Sequence, residues 1–166
     1  MALIWITGLS GTGKTTLARR LKDKFLERHS KCVHLDGDEY RRSHRPHLGY
    51  HRNDRLACAE SLTRYCKEIR SSTDWLIVST ISLFHEIHAL NRQLHPKYLE
   101  ILLTTDSQVL FQRQTPPAQR SGPWVGTDLT PEYPINPDLT LTSNSYDEIE
   151  SNSRRILDAI ADKERR

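Results

Sequence analysis

The chain has 166 residues, with 24 Lys and Arg against 21 Asp and Glu, a formal net charge of +3. That length suits one domain, residues 1–166, with a core burying about two-thirds of its unfolded surface, and the scattered basic residues favour a small anionic substrate over nucleic acid. Apolar runs at 2–6, 75–78 and 101–103 are far too short to span a bilayer, no signal peptide precedes the first strand, and Cys32, Cys58 and Cys66 lack C-x-x-C spacing, so free thiols in a cytoplasmic protein are expected.

The first apolar run predicts a strand that enters Gly8-Leu9-Ser10-Gly11-Thr12-Gly13-Lys14-Thr15, a complete G-x-x-x-x-G-K-T loop. A helix follows over 14–28, with Thr16 in its first turn and Leu17, Leu21 and Phe25 on one face. In that strand–loop–helix setting the glycines turn backbone N–H groups inward around phosphate oxygens. The helix N-terminus adds partial positive charge, Lys14 reaches the β- and γ-phosphates, and the Thr15 hydroxyl holds Mg²⁺. The chain is therefore expected to bind ATP with Mg²⁺.

A short strand at 32–35 runs into Asp36-Gly37-Asp38. A carboxylate there would face the γ-phosphate, ordering Mg²⁺ through water or accepting a proton from an attacking hydroxyl. The competing reading is an acidic turn with Gly37 at positive φ. Arg41, Arg42, Arg45, Arg52 and Arg55 crowd the next stretch. Most surface arginines are simply solvated, but guanidinium forks suit phosphate or sulfate oxygens, and one or two of these are expected to clamp an anionic acceptor.

Residues 44–50 read as loop, 52–70 as a helix, Trp75–Thr80 as a buried strand, 84–95 as a helix, 98–103 as a strand and 108–113 as a short helix. The segment 114–138 carries six of the chain's eight prolines and reads as a lid. Leu139–Thr142 gives a last strand, and Ser145-Tyr146-Asp147-Glu148 has the spacing of a capping box opening a final helix with Ile149, Ile156, Leu157 and Ile160 facing inward. Alternating strands and helices predict an α/β phosphate-loop fold: a parallel five-stranded sheet, helices on both faces, and ligands beyond the strand C-termini.

The segments G-L-S-G-T-G-K-T-T-L-A, L-D-G-D-E-Y-R, L-G-Y-x-x-x-D-R, I-S-L-F and G-T-D-x-x-P-E-x-P-x-N-P-D-L together resemble the adenylylsulfate kinases, from Leu3 to about Leu141. The resemblance implies a homodimeric kinase that transfers the γ-phosphoryl of Mg·ATP to the ribose 3′-hydroxyl of adenylyl sulfate. It implies Lys14, Asp36 and Ser82 as catalytic residues, with Thr15 and, through water, Asp36 on the metal. Arg113 joins the loop residues on ATP, while Asp38, Arg41, Tyr50, Arg55, Ile81 and Trp124 face the acceptor. Tyr50 and Trp124 stand where the family usually has Phe.

Three departures accompany the resemblance. Cys58 replaces an Asn, Leu83 and His85 replace a Pro and an Arg, and no lysine lies between Gln114 and Pro123, leaving Lys14 and Arg120 as replacements. The donor side is thus expected to be intact and the acceptor side altered, and a cytidine diphosphate derivative such as a phosphoramidate is the alternative acceptor. The chain lacks the N-K-x-D and D-x-x-G motifs of a GTPase switch.

Overall fold

In the computed structural model, residues 2–69, 73–120 and 122–165 are described. Eleven strands and α-helices follow in order: β1 (Ala2–Thr7), α1 (Lys14–Glu27), β2 (Cys32–Asp36), α2 (Gly37–His44), α3 (Arg52–Glu68), β3 (Trp75–Thr80), α4 (His85–Leu94), β4 (Tyr98–Thr104), α5 (Ser107–Arg113), β5 (Leu139–Thr142) and α6 (Glu148–Glu164). The five strands form one sheet in the order β2-β3-β1-β4-β5, every pairing parallel.

The central strand β1 is bonded on both edges and covered by helices on both faces, so its residues alternate between two buried cores. Ile4 and Ile6 pack with Leu17, Leu21, Leu141 and Ile156 beneath α1 and α6. Leu3 and Trp5 pack with Tyr40, Leu62, Leu76 and Ile87 beneath α2, α3 and α4. Truncating any of these large aliphatic side chains to Ala costs about 2–5 kcal/mol, so the sheet is a rigid platform for whatever its strand ends carry. Among the described residues no helix is long and apolar enough to cross a membrane.

Two boundaries differ from expectation. Gly37 opens α2 instead of turning at positive φ: Asp36 is the N-cap, its Oδ1 accepting from the amides of Asp38 at 3.0 Å and Glu39 at 3.3 Å. Gly37 is needed for space, since a Cβ there would lie 2.5 Å from Thr80 Oγ1. The final helix begins at Glu148, three residues after Ser145, because the Glu148 carboxylate accepts from the backbone N–H groups of Asn144 and Ser145 and holds that turn outside the helix. The expected end of α3 at Arg70 lies outside the described residues. Within the lid, Pro117–Gln119 forms a single 3₁₀ turn and Val125 bridges Leu129.

Candidate active site

The C-terminal ends of all five strands converge on one crevice, as parallel sheets require. From β1 the chain enters the phosphate loop, where Gly8, Gly11 and Gly13 take φ of 153°, 86° and 91°. Any side chain at Gly8 would collide with the backbone, its Cβ falling 2.2 Å from Leu103 O on β4. The Leu9 carbonyl accepts from Lys14 Nζ at 2.7 Å and Thr12 Oγ1 at 3.0 Å. Lys14 is buried, and that burial lowers its pKa to about 8 while Asp38 and Asp36 pull it back up. A bound polyphosphate would add negative charge beside this ammonium.

Opposite the loop, both oxygens of Asp36 are engaged. Oδ1 caps α2, while Oδ2 accepts from Thr15 Oγ1 at 2.7 Å and Ser79 Oγ at 3.1 Å. Burial pushes this carboxyl up, but the hydrogen bonds from Thr15, the Glu39 amide, Ser79 and the Asp38 amide outweigh it and hold the group below the usual carboxylate range. A hydroxyl and an ionised carboxylate are the hard oxygen donors that magnesium takes alongside phosphate oxygens, so the residues present fit the ion that accompanies ATP. Among the described residues no cluster of three or more His, Cys, Asp or Glu could hold a metal without such help.

Two cavities flank this corner. One, of about 500 Å³, is lined by Ser10, Gly11, Gly13, Lys14, Thr15, Thr16, Asp36, Arg113 and the β5–α6 turn. Arg113 donates from Nη1 to Ser143 O at 2.8 Å and from Nη2 to Asn144 O at 2.7 Å, fixing that turn. The other cavity, of about 420 Å³, is walled by Arg41, Arg42, Tyr50, Arg55, Arg120 and Trp124. Ser10, Asp38 and Ile81 line both. Here Arg41 Nη1 donates to Gly49 O at 2.6 Å, and Arg55 donates to Tyr50 O and Pro123 O, each at 2.7 Å. Both guanidinium groups lie over the Tyr50 ring, at 5.0 and 5.2 Å from its centre. Burial, with the neighbouring Arg41 charge, lowers the Arg55 pKa.

The lid touches the phosphate loop at two points. Gln114 Nε2 donates to Ser10 O at 3.0 Å, and Gly126 packs against the Leu9 side chain. Its far leg is fastened to α3 and α4: Glu132 pairs with Arg52 at 2.7 Å and accepts from the His85 amide at 3.0 Å.

Comparison with protein families matches residues 1–142 to adenylylsulphate kinase. The chain belongs to the adenylylsulphate kinase family. It is 37% identical over 111 residues to a cytidine diphosphoramidate kinase of Campylobacter jejuni, a match covering 67% of this chain and 65% of that protein. Against an adenylyl-sulfate kinase of Pseudomonas aeruginosa it is 32% identical over 159 residues, covering 88% of this chain and 79% of the other. The solved Mycobacterium tuberculosis APS kinase in complex with AMPPNP and APS superposes with a TM-score of 0.86 at 27% identity, covering 96% and 97% of the two chains. Like other members of the adenylylsulphate kinase family, the chain is an ATP-dependent kinase that phosphorylates a hydroxyl group.

Most residues expected from the family pattern border the two cavities, but Ser82 lines neither. It is buried at a φ of 25°, and its hydroxyl shares a 2.8 Å hydrogen bond with Thr80 Oγ1. Neighbouring Ile81 is positioned through its carbonyl, which accepts from the Thr7 hydroxyl. Cys58 is also buried away from both cavities, its thiol pushed up by that burial. Several lining residues escaped the sequence reading: Ser143, Ser145, Tyr146 and Ile149 on the donor side, and Thr115 and Gln119 on the lid. No short motif marks that stretch of the sequence, but the rule that ligands sit beyond strand C-termini points to the turn after β5.

Proposed function

We propose that this enzyme transfers the γ-phosphoryl of Mg·ATP to the ribose 3′-hydroxyl of a nucleotide whose 5′-phosphate bears a second, sulfate-sized group. The observation that carries this is the shared wall: Asp38 borders the phosphate-loop cavity and also the arginine-lined one. A hydroxyl held at that wall meets the γ-phosphate in line, and transfer between two bound ligands is mainly positioning and charge stabilisation. In this reading Lys14 takes the developing charge on the phosphoryl group. Thr15 and, through water, Asp36 would hold the magnesium that accompanies ATP, and the acceptor base rests against Tyr50 and Trp124.

Cytidine diphosphoramidate is the preferred acceptor. Support comes from the Campylobacter relative, from the absence of a lid lysine, and from the aromatic wall. Trp124 stands in place of the Phe of the family pattern and carries Arg120 on its ring at 4.2 Å. Adenylyl sulfate is the second reading, supported by Asp38, Arg41, an aromatic at 50 and Arg55, and by the likeness to the M. tuberculosis enzyme. The test is ADP release from Mg·ATP with each compound and with CMP and AMP as controls. Turnover of the cytidine compound alone supports the first reading, turnover of adenylyl sulfate alone the second, and turnover of neither removes both.

A further inference from the structure

Four arginines line the acceptor cavity, Arg41, Arg42, Arg55 and Arg120, against one carboxylate, Asp38. Three of the four are already engaged. Arg41 and Arg55 donate to the carbonyls of Gly49, Tyr50 and Pro123, and Arg120 lies on Trp124 while donating to Thr115 O and Thr127 Oγ1. Those bonds frame the cavity: they fix the loop bearing Tyr50, join it to the lid and set the lid aromatic.

Arg42 differs. Among the described residues its guanidinium donates no hydrogen bond, meets no carboxylate within 4.0 Å and lies on no ring, yet it forms part of the cavity wall. Its backbone is held firmly. The helix α2 is capped by Asp36 and anchored by buried Tyr40, whose hydroxyl lies 2.8 Å from Ser61 Oγ and whose ring stacks on His44 at 4.6 Å. An uncommitted guanidinium fork on a rigid element, in a cavity with an excess of positive charge, is suited to a tetrahedral oxyanion taken through two parallel hydrogen bonds.

We propose that Arg42 receives the distal anionic group of the acceptor, and that it sets the preference for a nucleotide with two adjacent anionic groups over the plain 5′-monophosphate. The assignment rests on the acceptor reading of this cavity given above.

The test is calorimetric binding, in ADP and Mg²⁺, of cytidine diphosphoramidate, CMP, adenylyl sulfate and AMP to the unaltered enzyme, Arg42→Ala and Arg42→Lys. Loss of a charge-assisted pair predicts on the order of 10- to 100-fold weaker binding of the doubly anionic compound by Arg42→Ala, with less than about twofold change for the monophosphate. Arg42→Lys, which keeps the charge without the fork, restores part of the loss. Equal weakening of both ligand types, no weakening of either, or an unaltered enzyme that does not distinguish them overturns the proposal. Discrimination in binding that depends on Arg42, without ADP release for any acceptor, upholds the Arg42 assignment and sinks the proposed reaction instead.

Discussion

Thr15 Oγ1 donates to Asp36 Oδ2 at 2.7 Å, tying the end of the phosphate loop on β1 to the end of β2 across the intervening strand β3. Neither residue could make this bond from its own strand alone; the parallel register of three strands sets it. The same carboxylate is stabilised as an anion by two hydroxyls and two amides, and so is a weak base. Its suited role is to order the metal and its water rather than to take the proton of the acceptor hydroxyl.

Asp36→Asn separates those roles from folding. Asn is as good an N-cap as Asp, so α2 should survive and the melting temperature should move little. Turnover should fall by about 100-fold or more, as when a preorganised electrostatic group is removed, with the ATP dissociation constant within about threefold. Turnover within twofold of the unaltered enzyme, at saturating Mg·ATP, would remove Asp36 from the mechanism.

Lys14 gives a pH signature. Its pKa in the folded enzyme is lowered to about 8, against 10.5 for an ordinary lysine, so between those values the unfolded chain holds more protons. Stability without ligand should therefore rise with pH across that window. ATP acts in the opposite direction, because the polyphosphate favours the ammonium form. Binding takes up a proton above about pH 8, and affinity should fall by up to about tenfold per pH unit there. ATP titrations from pH 7 to 9.5 at constant ionic strength check this; Lys14→Ala should lack the inflection and show no measurable turnover.

Arg41 and Arg55 converge on Tyr50, and their removal should act on one substrate. Arg41→Ala should raise the KM for the acceptor by about tenfold or more, in line with losing a charged hydrogen-bond donor, and leave the KM for ATP within twofold. The measurement is a pair of initial-rate series, one in each substrate. Equal effects on both constants would mean that Arg41 supports the whole crevice.

What the sequence disclosed depended on periodicity and on motif. Apolar runs such as Leu3-Ile4-Trp5-Ile6 announce a strand buried on both faces, and the phosphate loop comes with its own structural context. By contrast, α2 reads Gly-Asp-Glu-Tyr-Arg-Arg-Ser-His, with Tyr40 its only buried apolar side chain, so no stripe marks it as a helix. It is organised by the Asp36 cap and by buried Tyr40 and Arg41. Tyr146 and Ile149 escaped notice for a related reason: they reach the donor cavity through the turn after β5, where position in the fold, not residue type, makes them ligand neighbours. The division of labour among the arginines was equally hidden, because it depends on which backbone carbonyls lie within reach.

The lid is fastened unevenly, and this gives a cleavage pattern. Its far leg is held by Glu132 with Arg52 and the His85 amide, by Arg92 on Asn136 O and by Asp138 with Lys163. The near leg is held by Gln114 on Ser10 O, by Arg55 on Pro123 O and by Arg120, which is half-buried against Trp124 and is the sole Lys or Arg between 114 and 138. Trypsin should therefore nick the free enzyme within the lid after Arg120. Closure over two bound nucleotides would exclude water from the phosphoryl transfer and would bring Arg120, which lines the acceptor cavity, against the acceptor. Cleavage there should slow by about tenfold or more with ADP and acceptor together, and less with ADP alone, since local opening must precede cutting. Mass spectrometry of timed digests locates the cut. Equal rates with and without both ligands would show that the lid does not close on them.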